Sequence, residues 1–361
     1  MIDINWINNF GPNGYGICGR QYVEILHKMG YKVKITPVPY MDKTDVLHFM
    51  TKTKVKDPLD VWHAIPTFPQ PCFYTVTEVK KPPDYMGYAL QQAEFIMTQS
   101  KFCKESFSRV TEKEKIHIVN FPFIGDMFSP IGPSVELKID KEYNFKFFTI
   151  ARVDIRKNLV AMMQAFKEEF AGDNDVCLIM KMGSDRYCIP KIFYQFDLPK
   201  NIYWMRSFIP DTSVLYRSMN AYVATDCGEG WGAPTTEAML CGIPTIAPNH
   251  SGHLDYMNDE NSLLIDVGDW EHVGYDSEHP ERSPNLYLDL LMPQLEWKVP
   301  VFDDIKLKMR MCYEKYKDMN RQEVLTDEMV QRALDVHKIT SFEYVGSQLK
   351  EALDWYESEY R

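Results

Sequence analysis

The chain holds eight cysteines, at positions 18, 72, 103, 177, 188, 227, 241 and 312, yet no CxxC pair. Without paired spacing there is neither a zinc ligand set nor a disulfide frame. Scattered single thiols point instead to a reducing compartment, the cytoplasm. No apolar run approaches the roughly 18 residues a membrane span requires. The opening residues, MIDINWINNFG, lack the basic-then-apolar pattern of a secretory signal peptide. A long basic run is missing too, and the net charge of −11 disfavours nucleic acid as the main partner. What is there is an ordinary globular composition over 361 residues, long enough for two domains with separate cores.

Short apolar runs alternate with amphipathic stretches, which gives the fold class: α/β, with parallel sheets and helices on both faces. In residues 1–135, runs at 1–7, 31–38, 45–49, 59–65 and 72–77 read as strands. A helix after the first carries Tyr22, Ile25, Leu26 and Met29 on one face and stops at Gly30. The turn before it, Asn8 to Gly16, is glycine-rich, and Gly14 and Gly16 are candidates for close backbone approach to a phosphate or sugar. His63 ends a run in DVWHAIP, a place where a lone histidine is usually structural. Glu78 follows the run 72–77, where it either caps a turn or faces a ligand.

Pro130, Gly132 and Pro133 break the chain near 130–143. Residues 136–340 then show strands at 145–151, 176–182, 202–205, 221–225 and 243–247. The stripe Leu159, Met162, Met163, Phe166 and Phe170 is core, not a cofactor box. Asp173-Asn174-Asp175 has an Asp-x-Asp form, but it precedes a strand and so stands at the sheet's amino edge; no metal is expected. Residues 271–301, with four prolines, form a long excursion open to acceptor binding or to subunit contact in a homo-oligomer. A last helix, about 341–361, opens on Thr340-Ser341-Phe342-Glu343 in capping-box form and carries Phe342, Val345, Leu349, Leu353 and Tyr356 on one side.

Two strings carry chemistry. The first runs from Asp226 to Pro244, with glycines at 228, 230 and 232 that let the backbone turn and approach a ligand. Pro234 suits the first helical position, and Gly242 and Pro244 suit the stop, so a helix of about two turns follows. Strand, loop and helix start form an anion site, because free N–H groups and the positive dipole end converge there. Glu229 lies in that loop and Glu237 one turn inside the helix. The second string is Ala151-Arg152-Val153-Asp154-Ile155-Arg156-Lys157-Asn158. There Arg152 leaves a strand's carboxyl end and Lys157 precedes an N-cap asparagine, Asn158. A guanidinium and an ammonium so placed can neutralise a diphosphate leaving group, the job a metal does elsewhere.

The string EGWGAPTTEAMLCGIP closely resembles the donor-site motif of retaining family-four glycosyltransferases of the GT-B fold, also called glycosyl transferases group 1. The resemblance covers most of residues 100–265 well and the first hundred loosely. It implies two Rossmann-like doubly wound domains facing across a cleft, with the C-terminal helix returning to the first. Glu229 is implied beside the transferred sugar's hydroxyls and Glu237 on the ribose. Arg152, Lys157 and the segment Gly230, Trp231, Gly232 and Ala233 are implied at the diphosphate. Gly14 and Gly16 belong to the family's glycine loop, and His63 and Glu78 fall on the acceptor side. Ala151 departs from the family's usual glycine. The implied activity is metal-independent, retaining transfer of a hexose to an acceptor hydroxyl on a glycan, lipid-linked or small-molecule acceptor. No cofactor is implied beyond a substrate such as a UDP- or GDP-hexose. The rival readings are a silent nucleotide-sugar-binding or assembly protein, a GT-B phosphorylase or sucrose-synthase-like enzyme, and a DNA-base glycosyltransferase.

Overall fold

The computed structural model describes residues 3–8, 10, 14–37, 59–63, 69–123, 125–182, 198–206, 209–272 and 295–360. The run 45–49 and most of the excursion, 273–294, lie outside the described residues, as does Gly11-Pro12-Asn13 of the first glycine turn. The chain divides into two compact units, Met1–Ile124 with Lys338–Arg361, and Gly125–His337.

Unit 1 is built on a parallel sheet. Its described strands are β1 (Ile4–Asn8), β2 (Val33–Pro37), β3 (Leu59–His63), β4 (Cys72–Tyr74), β5 (Phe95–Thr98) and β6 (Ile116–Ile118), in the order β2-β1-β3-β4-β5-β6. β1 is buried at every position, as a strand covered on both faces must be, whereas the edge strand β2 has exposed residues. The chain runs from β1 to β2 on one side and returns past β1 to β3 on the other. The strand order therefore reverses between β1 and β3, where Asn8 stands opposite His63. Helix α1 (Gly14–Lys28) begins earlier than the glycine-rich turn suggested. Gly14 and Gly16 lie in its first turn, not in a loop. The expected face holds in part: Tyr22, Ile25 and Leu26 are buried.

Unit 2 repeats the plan with β7 (Phe145–Ala151), β8 (Val176–Met182), β9 (Ile202–Met205), β10 (Ala221–Val223), β11 (Thr245–Pro248) and β12 (Leu263–Ile265). The order is β12-β11-β10-β7-β8-β9, all parallel, so this sheet reverses between β7 and β10. Helix α2 (Leu159–Phe170) buries Leu159, Met162, Met163, Phe166 and Phe170 against the sheet, the stripe read as core. At roughly 1.5–3 kcal/mol for each fully buried large side chain, that stripe is a major anchor of the unit. Asp173 to Asp175 precede β8, at the amino edge of the sheet. Asn158 does stand before α2, but in the left-handed region (φ 49°) and with no side-chain capping bond; the side-chain cap is Asp154, on the preceding 3-10 turn Ile155–Lys157, accepting from the Lys157 amide at 3.2 Å.

Helix α3 (Ala233–Leu240) follows β10, and α4 (Phe302–Tyr316) packs Ile305, Met309, Cys312 and Tyr316 into the core of unit 2. The ends of the excursion form an antiparallel ribbon of β13 (Val267–His272) and β14 (Glu296–Pro300). The chain ends on α5 (Phe342–Tyr360), which belongs to unit 1. Its cap is Ser341, whose hydroxyl accepts from the Tyr344 amide at 3.2 Å, one residue later than the capping-box reading. Val345, Leu349 and Leu353 are buried, while Phe342 and Tyr356 at the ends of the stripe are only partly covered. Gln348 exchanges two hydrogen bonds with Asn120, to its amide at 2.9 Å and to its side chain at 2.8 Å.

Candidate functional site

Ligands in open α/β sheets collect at the carboxyl ends of the strands where the order reverses. In unit 2 that point is the pair of loops leaving β7 and β10. The two loops are stitched together. Thr225 donates its hydroxyl to the carbonyls of Lys157 and Asn158, both at 3.2 Å, and the Cys227 amide donates to the Arg156 carbonyl at 2.7 Å. A single turn of 3-10 helix, Ile155–Lys157, swings the Arg156 and Lys157 side chains to the same carboxylate.

That carboxylate is Glu229. The Arg156 guanidinium and the Lys157 ammonium both donate to its Oε1, and all three side chains are largely buried, at 14%, 15% and 13% exposure. Burial alone would push the Glu229 carboxyl up, but the Arg156 and Lys157 charges outweigh it and hold the group well below the ordinary carboxylate range. The Glu229 backbone is pinned as well: its amide donates to the Ser251 hydroxyl at 2.9 Å, and its carbonyl accepts from the Gly252 amide at 2.9 Å.

Of the three loop glycines, Gly232 alone has a positive φ, at 92°. A side chain there would be strained, and a Cβ would stand 2.5 Å from His253 Nε2 and 2.8 Å from the Tyr256 hydroxyl. Tyr256 secures this bend by donating to the carbonyls of Trp231 and Gly232, both at 3.0 Å. Among the described residues, the amides of Trp231, Gly232 and Ala233 donate to no acceptor in the chain. Pro234 has no amide, so three successive N–H groups open the helix α3. Free amides, the positive dipole end and two cations make this an anion site.

A small recess at the same place is lined by Lys157, Thr225, Asp226, Glu229, Gly232 and Thr235, among others. The sequence-predicted residues Lys157, Glu229 and Gly232 therefore meet. Arg152 does not join that lining: its side chain is 77% exposed and pairs with Asp154 at 3.2 Å. Glu237 is also outside it, accepting from the Tyr216 hydroxyl at 2.7 Å. Burial of the Glu237 carboxyl pushes it up to about 7, against the pull of that hydroxyl.

Sequence reasoning passed over Arg156, Asp226 and His253. Arg156 lies inside the quoted string, but only the 3-10 turn reveals that it shares Glu229 with Lys157. Asp226 and His253 are buried, with Oδ2 and Nε2 3.9 Å apart, and burial raises the Asp226 carboxyl above its ordinary value. His253 Nε2 also lies 3.2 Å from the Thr235 hydroxyl. No spacing rule marks a histidine 27 residues downstream as part of the loop's support.

In unit 1, Asn8 and His63 are buried at the reversal of the sheet, their side chains 3.3 Å apart, and burial pushes the imidazole down to about 3. Glu78 is half-buried in the segment after β4. Among the described residues no group of His, Cys, Asp and Glu has the arrangement of a metal site. No described helix is long and apolar enough to cross a membrane.

Two Rossmann-like parallel sheets in one chain are the GT-B fold, and comparison of structures agrees. The chain is similar to Anabaena HepE, solved in complex with UDP and glucose, over 98% of this chain and 100% of that one, with a TM-score of 0.63 and 11% identity. It is similar over 99% and 100% to sucrose-phosphate synthase from Thermosynechococcus elongatus, with a TM-score of 0.67 and 14% identity. Residues 135–278 match the family model of glycosyl transferases group 1. Among curated proteins it is 21% identical to O-antigen chain mannosyltransferase B of Escherichia coli, over 63% of this chain and 61% of that protein. It is 27% identical to sucrose synthase 2 of Pisum sativum, over 42% of this chain and 23% of that protein. The matched stretch thus spans less than two thirds of either relative's length.

Proposed function

We propose that this chain is a retaining, metal-independent glycosyltransferase that moves a hexose from a nucleoside diphosphate sugar to an acceptor hydroxyl. The observation that carries the reading is the convergence of Lys157, Glu229 and three free amides at the amino end of α3. The arrangement suits a ligand with both a diphosphate and sugar hydroxyls. Lys157, with Arg152 swinging in from the loop surface, and the amides of Trp231, Gly232 and Ala233 stabilise the departing diphosphate, where charge grows most in the transition state. Glu229, kept ionised, accepts from the sugar hydroxyls, and Glu237 accepts from the ribose. The acceptor hydroxyl enters on the face the leaving group vacates, and its proton passes to the β-phosphate. His63 and Glu78 in unit 1 serve the acceptor, and Gly14 and Gly16 let the backbone approach the donor closely. The cations of unit 2 do the work a metal does elsewhere. Buried free thiols in both units support a cytoplasmic setting.

The test is a thermal-shift screen of UDP, GDP, ADP and their hexose conjugates in EDTA, since a ligand that binds only the folded state raises apparent stability by mass action. The expected result is a shift with one nucleotide and a larger one with its sugar conjugate. Incubation with that donor and a panel of hydroxyl acceptors should give an anomer of unchanged configuration by NMR. No shift with any nucleotide, or a strict requirement for a divalent ion, overturns the reading. A shift without transfer or donor hydrolysis leaves a silent binder.

A further inference from the structure

We propose that Arg156 is a positioning residue that keeps Glu229 charged and in place, so that Lys157 is released to the diphosphate when the donor binds. The proposal rests on the nucleotide-sugar reading and concerns a residue that the reading does not use. Both cations meet Glu229 on the same oxygen, Oε1, and among the described residues no donor reaches Oε2. If Lys157 were the sole partner, donor binding would strip the counter-charge from a largely buried carboxylate, an arrangement that is strongly unfavourable. A second cation removes that conflict.

The two cations are tethered differently. Arg156 is bound to the loop that carries Glu229. Its Nη1 donates to the Gly228 carbonyl at 2.6 Å, and its own carbonyl accepts from the Cys227 amide at 2.7 Å. A guanidinium with five donors in a fixed fork can serve Gly228 and Glu229 together. Lys157 holds Glu229 through one ammonium on a flexible stem, and its side chain lines the recess where Arg156 does not. Glu229 holds both cations on one oxygen, and the tethers mark Lys157 as the one that can leave. Arg156 stays with the carboxylate, and Lys157 turns to the phosphate.

The experiment measures affinity by calorimetry for whichever of UDP, GDP and ADP binds the parent protein best, with R156M, R156K, E229Q and the double variant R156M/E229Q. In R156M, Glu229 retains Lys157, and affinity should fall at least about tenfold, the worth of one charge-assisted hydrogen bond. R156K should recover most of it. E229Q should bind at or above the parent level, because its neutral amide no longer competes for Lys157. The decisive comparison is R156M/E229Q against E229Q, where the loss should vanish. A loss that persists in the E229Q background means that Arg156 contacts the phosphate itself and overturns the assignment. Unchanged affinity in R156M overturns it too. Should R156M fail to fold, as thermal melts would reveal, R156M/E229Q, which lacks the buried charge, makes the same comparison with E229Q. If no nucleotide binds the parent, the nucleotide-sugar reading falls, and the Arg156 assignment falls with it.

Discussion

The two sheets reverse their strand order in the same way but furnish the reversal with different chemistry. At the β1/β3 point of unit 1 the buried groups are neutral: Asn8, His63 held down by burial, and behind them the Tyr22 and Tyr74 hydroxyls, which bond each other and the Val119 carbonyl. At the β7/β10 point of unit 2 they are charged, with Arg156, Lys157 and Glu229 compensating one another. The unit 1 groups are neutral donors and acceptors and carry no net charge that calls for a counter-ion. The unit 2 cluster sets two cations and a run of free amides beside Glu229 and Asp226, an arrangement that favours an anion. One topology thus carries a neutral polar core in one unit and a charged candidate site in the other.

The sharpest way to break that contrast is to remove the charge at its centre. E229Q keeps an acceptor oxygen for Arg156 and Lys157, so the fold should survive, while transfer should fall by about 10²–10³ in kcat, as when a preorganised electrostatic partner is lost. Single-turnover kinetics with the donor found by the thermal-shift screen checks it. Full activity would remove Glu229 from the reaction and leave the cluster a structural ion network.

Glycine substitutions compare the backbones at the two points. Gly232→Ala combines a positive φ with a Cβ 2.5 Å from the His253 ring, and left-handed strain and overpacking together should cost about 2–4 kcal/mol. Gly19→Ala in unit 1 meets only the Asn8 side-chain amide, at 2.0 Å, and the His63 ring, at 3.2 Å, from within α1. There the displacement of Asn8 is offset by the gain of about 1 kcal/mol in helix propensity, leaving a net cost near 1 kcal/mol. Urea denaturation of both variants gives the difference. Equal costs would mean that the Gly232 bend is no tighter than the buried helix contact at Gly19.

Titration should tilt the two units in opposite directions. His63, pushed down to about 3, stays neutral in the folded chain while the unfolded chain takes up its proton near 6.5; the stability it permits is complete above 6.5 and is lost as pH falls toward 3. Glu237, pushed up to about 7, keeps its proton when folded while the unfolded chain releases it near 4.5, so stability falls as pH rises from 4.5 through 7. Each slope is about 1.4 kcal/mol per pH unit, and the Glu237 effect totals about 3 kcal/mol at most. Denaturation midpoints from pH 4 to 8 should show that H63Q removes the first slope and E237Q the second. A parent and E237Q with parallel profiles would mean that the Glu237 carboxyl ionises as in water.

How much of this was legible in the sequence follows from locality. β7 and β8 were readable to the residue because strands largely buried on both faces are apolar runs bounded by polar breaks, and the edge strand β9 because Ile202–Met205 is a short apolar run between polar residues. The EGWG loop and the start of α3 were readable because Pro234 and the glycines carry their conformational meaning with them. Gly14 and Gly16 were read as part of a turn, whereas α1 already begins at Gly14. The support of the loop was not readable at all. Ser251, His253 and Tyr256 reach it from beyond β11, and only the folded sheet brings them near. Arg156 was hidden by a cap one turn earlier than expected, at Asp154, which winds the chain so that neighbouring residues 156 and 157 point the same way.

The smallest expected effect on stability belongs to Arg152, and it separates the two jobs a cation can have in unit 2. Its pair with Asp154 is solvent-exposed on the arginine side, and such pairs contribute about 0–1 kcal/mol. R152A should therefore unfold within about 0.5 kcal/mol of the parent. The same variant should lose about tenfold or more in kcat/KM if the guanidinium leaves Asp154 for the diphosphate in the transition state. Lys157 has a fixed partner at rest and Arg152 has only a surface one, so their removal should differ in stability while agreeing in catalysis. If R152A is silent in both, the leaving group is stabilised by Lys157 and the α3 amides alone, and the exposed arginine is an ordinary solvated side chain.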